Sequence, residues 1–196
     1  MIELLGKSLE ELQSIFKTHN IQKFRAKQLI DYIYHRYIFD FEEMTQFPKE
    51  LRQWLSDNCV ISLPTLITES VSPDGKTRKI LVEMTDQSRV EAVLMEQHYG
   101  YSVCVSSQVG CAMGCVFCAS TQGGLYRDLT VSEIIGQVVI FGALTKEQIH
   151  SVVVMGAGEP LQNYDNVLQA LQLLHDPVIC NISYRKMTIS TCGWVP

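Results

Sequence analysis

The chain has 196 residues, 46% of them apolar, a formal net charge of −5 and seven cysteines. That is enough apolar content for one good core, or for a small domain beside a larger one, and it excludes a disordered or fibrous chain. The negative balance argues against indiscriminate coating of nucleic acid, which takes many Lys and Arg contacts to phosphate, but it leaves room for a local basic patch.

No run of eighteen apolar residues occurs, and the amino terminus MIELLGKSLEELQ opens into an acidic amphipathic pattern instead of a basic region followed by an apolar one. A soluble cytoplasmic protein with no membrane partner is expected. Thiols in that compartment stay reduced, so seven cysteines point to metal or redox chemistry rather than to a disulfide framework.

Residues 1–60 read as a small helical domain. SLEELQSIF starts with Ser8 as N-cap and Glu11 three positions on, a capping-box pattern, with Leu9, Leu12, Ile15 and Phe16 at helical spacing. FRAKQLIDYIYHRYI repeats the period through Leu29, Ile30, Ile33 and Tyr37. PKELRQWLSDN places Pro48 near a first turn and Leu51, Trp54 and Leu55 on one face. The one conspicuous basic cluster lies here, in residues 17–36: Lys17, Lys23, Arg25, Lys27 and Arg36 against Asp31, interleaved with Phe24, Tyr32 and Tyr34. It reads either as a local basic patch for nucleic acid or as the solvated face of an ordinary helix.

The period then shortens to two. TLITESVSPDGKTRKILVEM is strand, Pro-Asp-Gly turn, strand, and QSRVEAVLMEQHYGYSVCVSS adds two more strands broken at Tyr99-Gly100. An antiparallel extension over 61–100 follows, its last strand leading into a cysteine-rich loop. Over 101–196 strands and helices alternate: SVCVSS, the helix LTVSEIIGQVVIFGAL capped by Thr130 or Ser132, SVVVMGAGEP, the helix YDNVLQALQLLHD with Val167, Leu168, Leu171 and Leu174 on a stripe, and KMTISTCG. Such alternation specifies parallel strands with right-handed crossovers, an open doubly wound sheet or part of a barrel. Three strands do not close a barrel, and the chain is expected to be an incomplete or unusually short form.

In SSQVGCAMGCVFCAST, Cys111, Cys115 and Cys118 form Cys-x3-Cys-x2-Cys in a loop with Gly110 and Gly114. Close spacing in a Gly-containing loop lets several thiolates converge on one centre. Three ligands rather than four would leave one iron of a [4Fe-4S] cluster open to a ligand. The alternative is a closed zinc site that recruits Cys104 from the preceding strand, in a structural protein. Cys59, Cys180 and Cys192 read as small buried hydrophobes. The turn after the second strand carries Gly156, Gly158 and Glu159 at the strand's carboxyl end, the side on which parallel α/β architectures bind ligands. Ser190 and Thr191 end the third strand and face the same place.

The cysteine spacing, with Phe117 before the last thiol, resembles the CxxxCxxC motif of the radical S-adenosylmethionine (SAM) superfamily, and GAGEP resembles its "GGE" turn. SVCVSSQVGCAMGCVFCASTQGGLYRDLTVSEIIGQV, SVVVMGAGEPLQNYDNVL and MTISTCGWVP together resemble the RlmN/Cfr family of radical-SAM RNA adenosine methyltransferases over essentially the whole chain. The resemblance implies a partial (β/α) barrel over 101–196, behind the meander and the helical domain. It also implies a [4Fe-4S] cluster on Cys111, Cys115 and Cys118, and SAM bound by Gly158, Glu159 and Ser190. Glu91 would be a proton acceptor, and Cys104 the thiol that resolves a covalent protein–RNA intermediate. The implied reaction is methyl transfer to C2 of adenosine in ribosomal RNA and, in dual-specificity members, transfer RNA. A flavodoxin or ferredoxin would donate electrons to a monomer. The methyl-carrying cysteine of that family lies nearer its carboxyl end, so this chain is expected not to complete turnover; an inactive cluster-binding or RNA-binding module is the alternative. Cys192 and Trp194 depart from the small or aliphatic residues usual there.

Overall fold

The computed structural model describes residues 1–194; Val195 and Pro196, the last two residues of the family-like stretch MTISTCGWVP, lie outside the described residues. The first unit holds β1 (Ile2–Glu3), α1 (Leu9–Thr18), α2 (Phe24–Ile30), α3 (Lys49–Asn58) and β2 (Cys59–Val60), with β1 and β2 paired in parallel. Ser8 Oγ accepts the N–H of Glu11 at 3.1 Å while the Glu11 carboxylate accepts the N–H of Ser8 at 2.8 Å. That capping box is worth about 1 kcal/mol and seats Leu12 and Phe16 in the core, both fully buried.

The second helical segment departs from its expected course. Its α-helix stops at Ile30 and continues as a π-helical turn over Asp31–His35, closed by the N–H of Arg36 on the Asp31 carbonyl at 3.0 Å. The wider turn lets three consecutive large residues, Tyr32, Ile33 and Tyr34, all bury. Two of them are anchored: the N–H of Gly6 donates to Tyr34 Oη at 3.0 Å and that of Gln46 to Tyr32 Oη at 2.8 Å. These tertiary bonds override the local α pattern, and Tyr37, at φ 54°, is no longer helical.

The remaining strands are β3 (Thr65–Val71), β4 (Thr77–Glu83), β5 (Arg89–Gln97), β6 (Gly100–Val105), β7 (Gln108–Gly110), β8 (Leu125–Asp128), β9 (Ile149–Val154) and β10 (Met187–Ile189), with α4 (Val131–Thr145) and α5 (Tyr164–His175) between the later ones. Six of these strands form one sheet in the order β10-β9-β6-β5-β4-β3; β10, β9 and β6 are parallel and the rest is the antiparallel meander. The meander and the parallel strands are therefore hydrogen-bonded across residue 100, and no closed barrel forms among the described residues.

One face of this sheet is the core. Ile80, Val82, Ala92, Leu94, Val103, Val105, Val152 and Val154 are each at most 2% exposed, and each of the Val, Leu and Ile side chains among them contributes about 1.5–3 kcal/mol on burial. Over them lie Ile134, Ile135, Val138 and Phe141 of α4 and Val167, Ala170, Leu171 and Leu174 of α5. Leu168 is not on that stripe: it stands 37% exposed, about 100° round the helix from Val167. On the opposite face a single row, Lys79, Val93, Cys104, Val153 and Thr188, runs side by side across five strands, and none of its members is buried. A parallel sheet covered on both sides buries both sets; here the second face is open.

Candidate functional site

The cysteine loop leaves β7 and returns on β8, and those two strands pair with each other as a small antiparallel ribbon that sequence periodicity did not reveal. Gly110, at φ +76°, would drive a Cβ into the Gly124 carbonyl, so only glycine closes the loop's neck. The N–H of Cys111 donates to that carbonyl at 3.0 Å, the N–H of Gly114 to Thr121 Oγ1 at 2.9 Å, and the N–H of Cys118 to the Cys115 carbonyl at 3.0 Å. All three thiols are free, Cys111 buried and the other two half-buried. They share one loop but are not drawn to a common point: among the described residues no three His, Cys, Asp or Glu side chains stand where they could hold one ion together. Gathering thiolates without a cation between them is unfavourable, so that step belongs to metal binding itself.

A polar scaffold behind the loop is the largest feature that the sequence reading missed. Ser106, Ser107 and Gln108 are at most 1% exposed. Gln137, in the middle of apolar α4, accepts the Ser106 N–H with Oε1 at 2.8 Å and donates Nε2 to the Ser106 carbonyl at 3.1 Å. Asn163 donates Nδ2 to the carbonyls of Ser107 and Leu129 at 2.8 and 2.7 Å. Arg127 on β8 makes two forked ion pairs, one with Asp86 in the β4–β5 turn and one with Glu133 in the first turn of α4, each with contacts between 2.7 and 3.0 Å. The Asp86 carboxyl is held far below the usual range by the Arg127 guanidinium and the Ser88 hydroxyl. The one signal available was Gln137: a lone amide within SEIIGQVVIFG must find partners if it is buried.

The 156–159 turn sits against this scaffold. Glu159 is 3% exposed. Its Oε1 accepts the Leu161 N–H at 2.9 Å and the Thr191 hydroxyl at 2.7 Å, and its Oε2 accepts the Cys192 N–H at 2.8 Å. Burial by itself would raise its pKa, but those three donors outweigh it and the carboxyl lies below its ordinary value. A Cβ on Gly158, at φ +108°, would lie 2.6 Å from Gln108 Cβ and 2.7 Å from its backbone N, so the close approach of the turn to β7 requires glycine.

Ser190 is exposed and its N–H donates to the Val154 carbonyl at 3.2 Å, which fixes the backbone beside the same turn. Glu91 and Cys104 share the open sheet face, on neighbouring strands. Glu91 is more than half exposed and pairs with Lys79 Nζ at 2.9 Å. Cys104 is half-buried within β6, opposite Val93 and Val153; burial raises its pKa against the opposing Met155 N–H. Cys59 is buried as expected, its thiol pushed to about 11 by burial. Cys192 is not: it is exposed, and the Glu159 carboxylate beside it raises its pKa. The structure thus brings the cysteine loop, Gly158, Glu159 and Ser190 to the carboxyl ends of β6, β9 and β10.

The family model described as "Ribosomal RNA large subunit methyltransferase N-terminal domain" matches residues 2–61, and that of the "Radical SAM superfamily" matches residues 105–196. A "Probable dual-specificity RNA methyltransferase RlmN" of Symbiobacterium thermophilum is 48% identical over 195 residues, 98% of this chain and 53% of the relative. One of the same description from Clostridium perfringens strain 13 is 46% identical over 196 residues, all of this chain and 56% of the relative. The chain is similar along its whole length to members of the RlmN family. It spans about half the length of the curated RlmN relatives it matches. A crystal structure of a radical SAM methyltransferase from Sphaerobacter thermophilus superposes on all of it with a TM-score of 0.93 at 35% identity, covering 58% of that chain.

The cofactors of this family are a [4Fe-4S] cluster and SAM, and the RlmN-type loop fits the first by its donor set: three free, soft thiols on one loop that is fastened at both ends and glycine-hinged between them. No helix among the described residues is long and apolar enough to cross a membrane.

Proposed function

We propose that this chain carries the cofactor-binding part of a radical-SAM RNA methyltransferase that methylates C2 of adenosine in ribosomal RNA and in transfer RNA. The observation that supports it best is the meeting of the cysteine loop with the 156–159 turn, at the carboxyl ends of adjacent parallel strands, in a chain similar along its whole length to dual-specificity RNA methyltransferases. Cys111, Cys115 and Cys118 hold the cluster; when bound, it supplies the electron that cleaves the SAM sulfonium. Gly158 and Glu159 take the methionine end of SAM, Gly158 by letting backbone approach closely, and Ser190 binds SAM from the end of β10 with its exposed hydroxyl. Glu91, on the open face, accepts a proton. Cys104, on the same face, is the thiol that resolves a covalent protein–RNA intermediate; burial keeps it protonated, so it reacts after losing that proton. Electrons come from a flavodoxin or ferredoxin, and the protein works as a cytoplasmic monomer.

Anaerobic reconstitution with iron and sulfide should load about four irons per chain, and reduction in the presence of SAM should release 5′-deoxyadenosine. A protein that takes up zinc and no iron overturns this reading; iron loading without SAM cleavage leaves a cluster-binding module. The RNA contact is assigned to the basic face of residues 17–36, with one refinement. Arg25 donates to Gln28 and to the Gln46 carbonyl and stacks 4.7 Å from the Phe24 ring, and Arg36 pairs with Asp31, so both serve the fold. Lys17, Lys23 and Lys27 are exposed and form no ion pair among the described residues. Exchanging these three for Glu should weaken RNA binding by roughly tenfold or more at low salt and flatten its salt dependence. Unchanged affinity in a filter or fluorescence assay refutes the assignment.

A further inference from the structure

Gln108 is wholly buried, and both ends of its carboxamide are used. Oε1 accepts the N–H of Glu159 at 2.8 Å, and Nε2 donates to Asp128 Oδ1 at 2.7 Å. Asp128 ends β8, the arm on which the cysteine loop returns, and Gln108 itself starts β7, the arm on which it leaves. Glu159 belongs to the turn at the end of β9, whose Ala157 carbonyl also accepts the Gln108 N–H at 3.2 Å. One side chain therefore joins elements 20 and 51 residues away from it. A buried amide is costly unless both ends are bonded, and Met or Leu would fill the same volume without that demand. The Gly158 approach adds a second, independent sign of a tight joint, since the turn comes closer to Gln108 than any side chain at 158 allows.

We propose that Gln108 is a positioning residue that holds the cysteine loop and the 156–159 turn in register, so that the iron carried by one and the SAM gripped by the other meet. This rests on the cluster and SAM assignments of the proposed function. Gln108 hydrogen-bonds to none of the three thiols and acts through the Glu159 amide and the Asp128 carboxylate.

The test uses the 196-residue chain with reconstituted cluster at matched iron content. Gln108→Met removes both bonds at similar volume. Gln108→Glu keeps the acceptor for Glu159 but sets a carboxylate against Asp128. The pair Gln108→Glu with Asp128→Asn reverses the polarity of that contact and restores it. Each single variant should need about tenfold more SAM to alter the reduced cluster's electron paramagnetic resonance spectrum, and the pair should return to within about threefold of the parent. A purely structural role would lower the melting temperature and leave that titration unmoved. An unaltered titration in Gln108→Met, or a pair no better than Gln108→Glu, overturns the proposal. Should the parent itself show no response to SAM, it is the functional reading that falls. Hydrogen exchange then decides for Gln108: joint loss of protection at 125–129 and 156–161 in Gln108→Met upholds the joint, and loss confined to one of the two overturns it.

Discussion

Replacing any one of Cys111, Cys115 or Cys118 by Ser is expected to abolish cluster loading, from about four irons per chain to well below one. The three thiols are the whole donor set of a loop fastened at Gly110–Gly124, and two remaining thiolates do not hold a cubane against competing thiol reagents. Iron and sulfide analysis after anaerobic reconstitution, read with the visible absorption of the cluster, checks it. Cys59→Ser is the matched control, because Cys59 is buried in the helical unit and should leave iron content unchanged. Cys192→Ser is the more searching one. Cys192 is exposed beside the Glu159 carboxylate, just past the carboxyl end of β10. Loss of iron in Cys192→Ser would sink the three-thiol assignment in favour of a four-thiol set.

The second large effect is expected at Glu159. Glu159→Ala leaves the Leu161 and Cys192 N–H groups and the Thr191 hydroxyl without their acceptor; water reaches the last two, so the cost is about 2 kcal/mol, a drop of roughly 4–8 °C in melting temperature. The functional loss should be larger, because Ser190 and the exit of β10 are held in place through the Thr191 and Cys192 contacts, and SAM cleavage should fall by at least about a hundredfold. Activity within threefold of the parent would refute that role. The pH dependence has a definite sign. The folded carboxyl has a lowered pKa, so its ionisation adds stability that is present above the unfolded value of about 4.3 and is lost as pH falls through the folded value. Glu159→Gln lacks this contribution, and its melting temperature should converge on that of the parent as pH falls from the unfolded value through the lowered folded one. A constant gap down to the acid limit would show that the carboxylate charge is not what the three donors stabilise.

The cysteine loop and Glu159 also mark how far the sequence could be read. Cys111, Cys115 and Cys118 were legible because ligand spacing is a local property, complete within eight positions. Glu159 was legible as a site residue through the turn it ends, but its grip on Thr191 and Cys192 was not, since those partners lie 32 and 33 residues on. Gln108 and Arg127 carried no signal at all: a Gln beside a loop and an Arg before an Asp are ordinary surface residues until the fold supplies Glu159, Asp86 and Glu133. Cys192, read as a small buried hydrophobe, is exposed because it leaves the sheet with the β10 exit instead of joining the core.

The capping box of α1, the strand alternation of the meander, the parallel β–α order and the cysteine loop were all determined by the sequence alone, since each rests on forces between residues within about four positions or on a period that those forces set. The tertiary structure decided what depends on chain closure. It replaced the end of the second helix with a π-helical turn, because Gly6 and Gln46 needed the hydroxyls of Tyr34 and Tyr32. It left one sheet face open and put Glu91 and Cys104 on it. It also turned four buried polar side chains, Gln108, Gln137, Glu159 and Asn163, into the frame that sets the loop against the turn, because burying a polar group is affordable only where the fold brings it a partner.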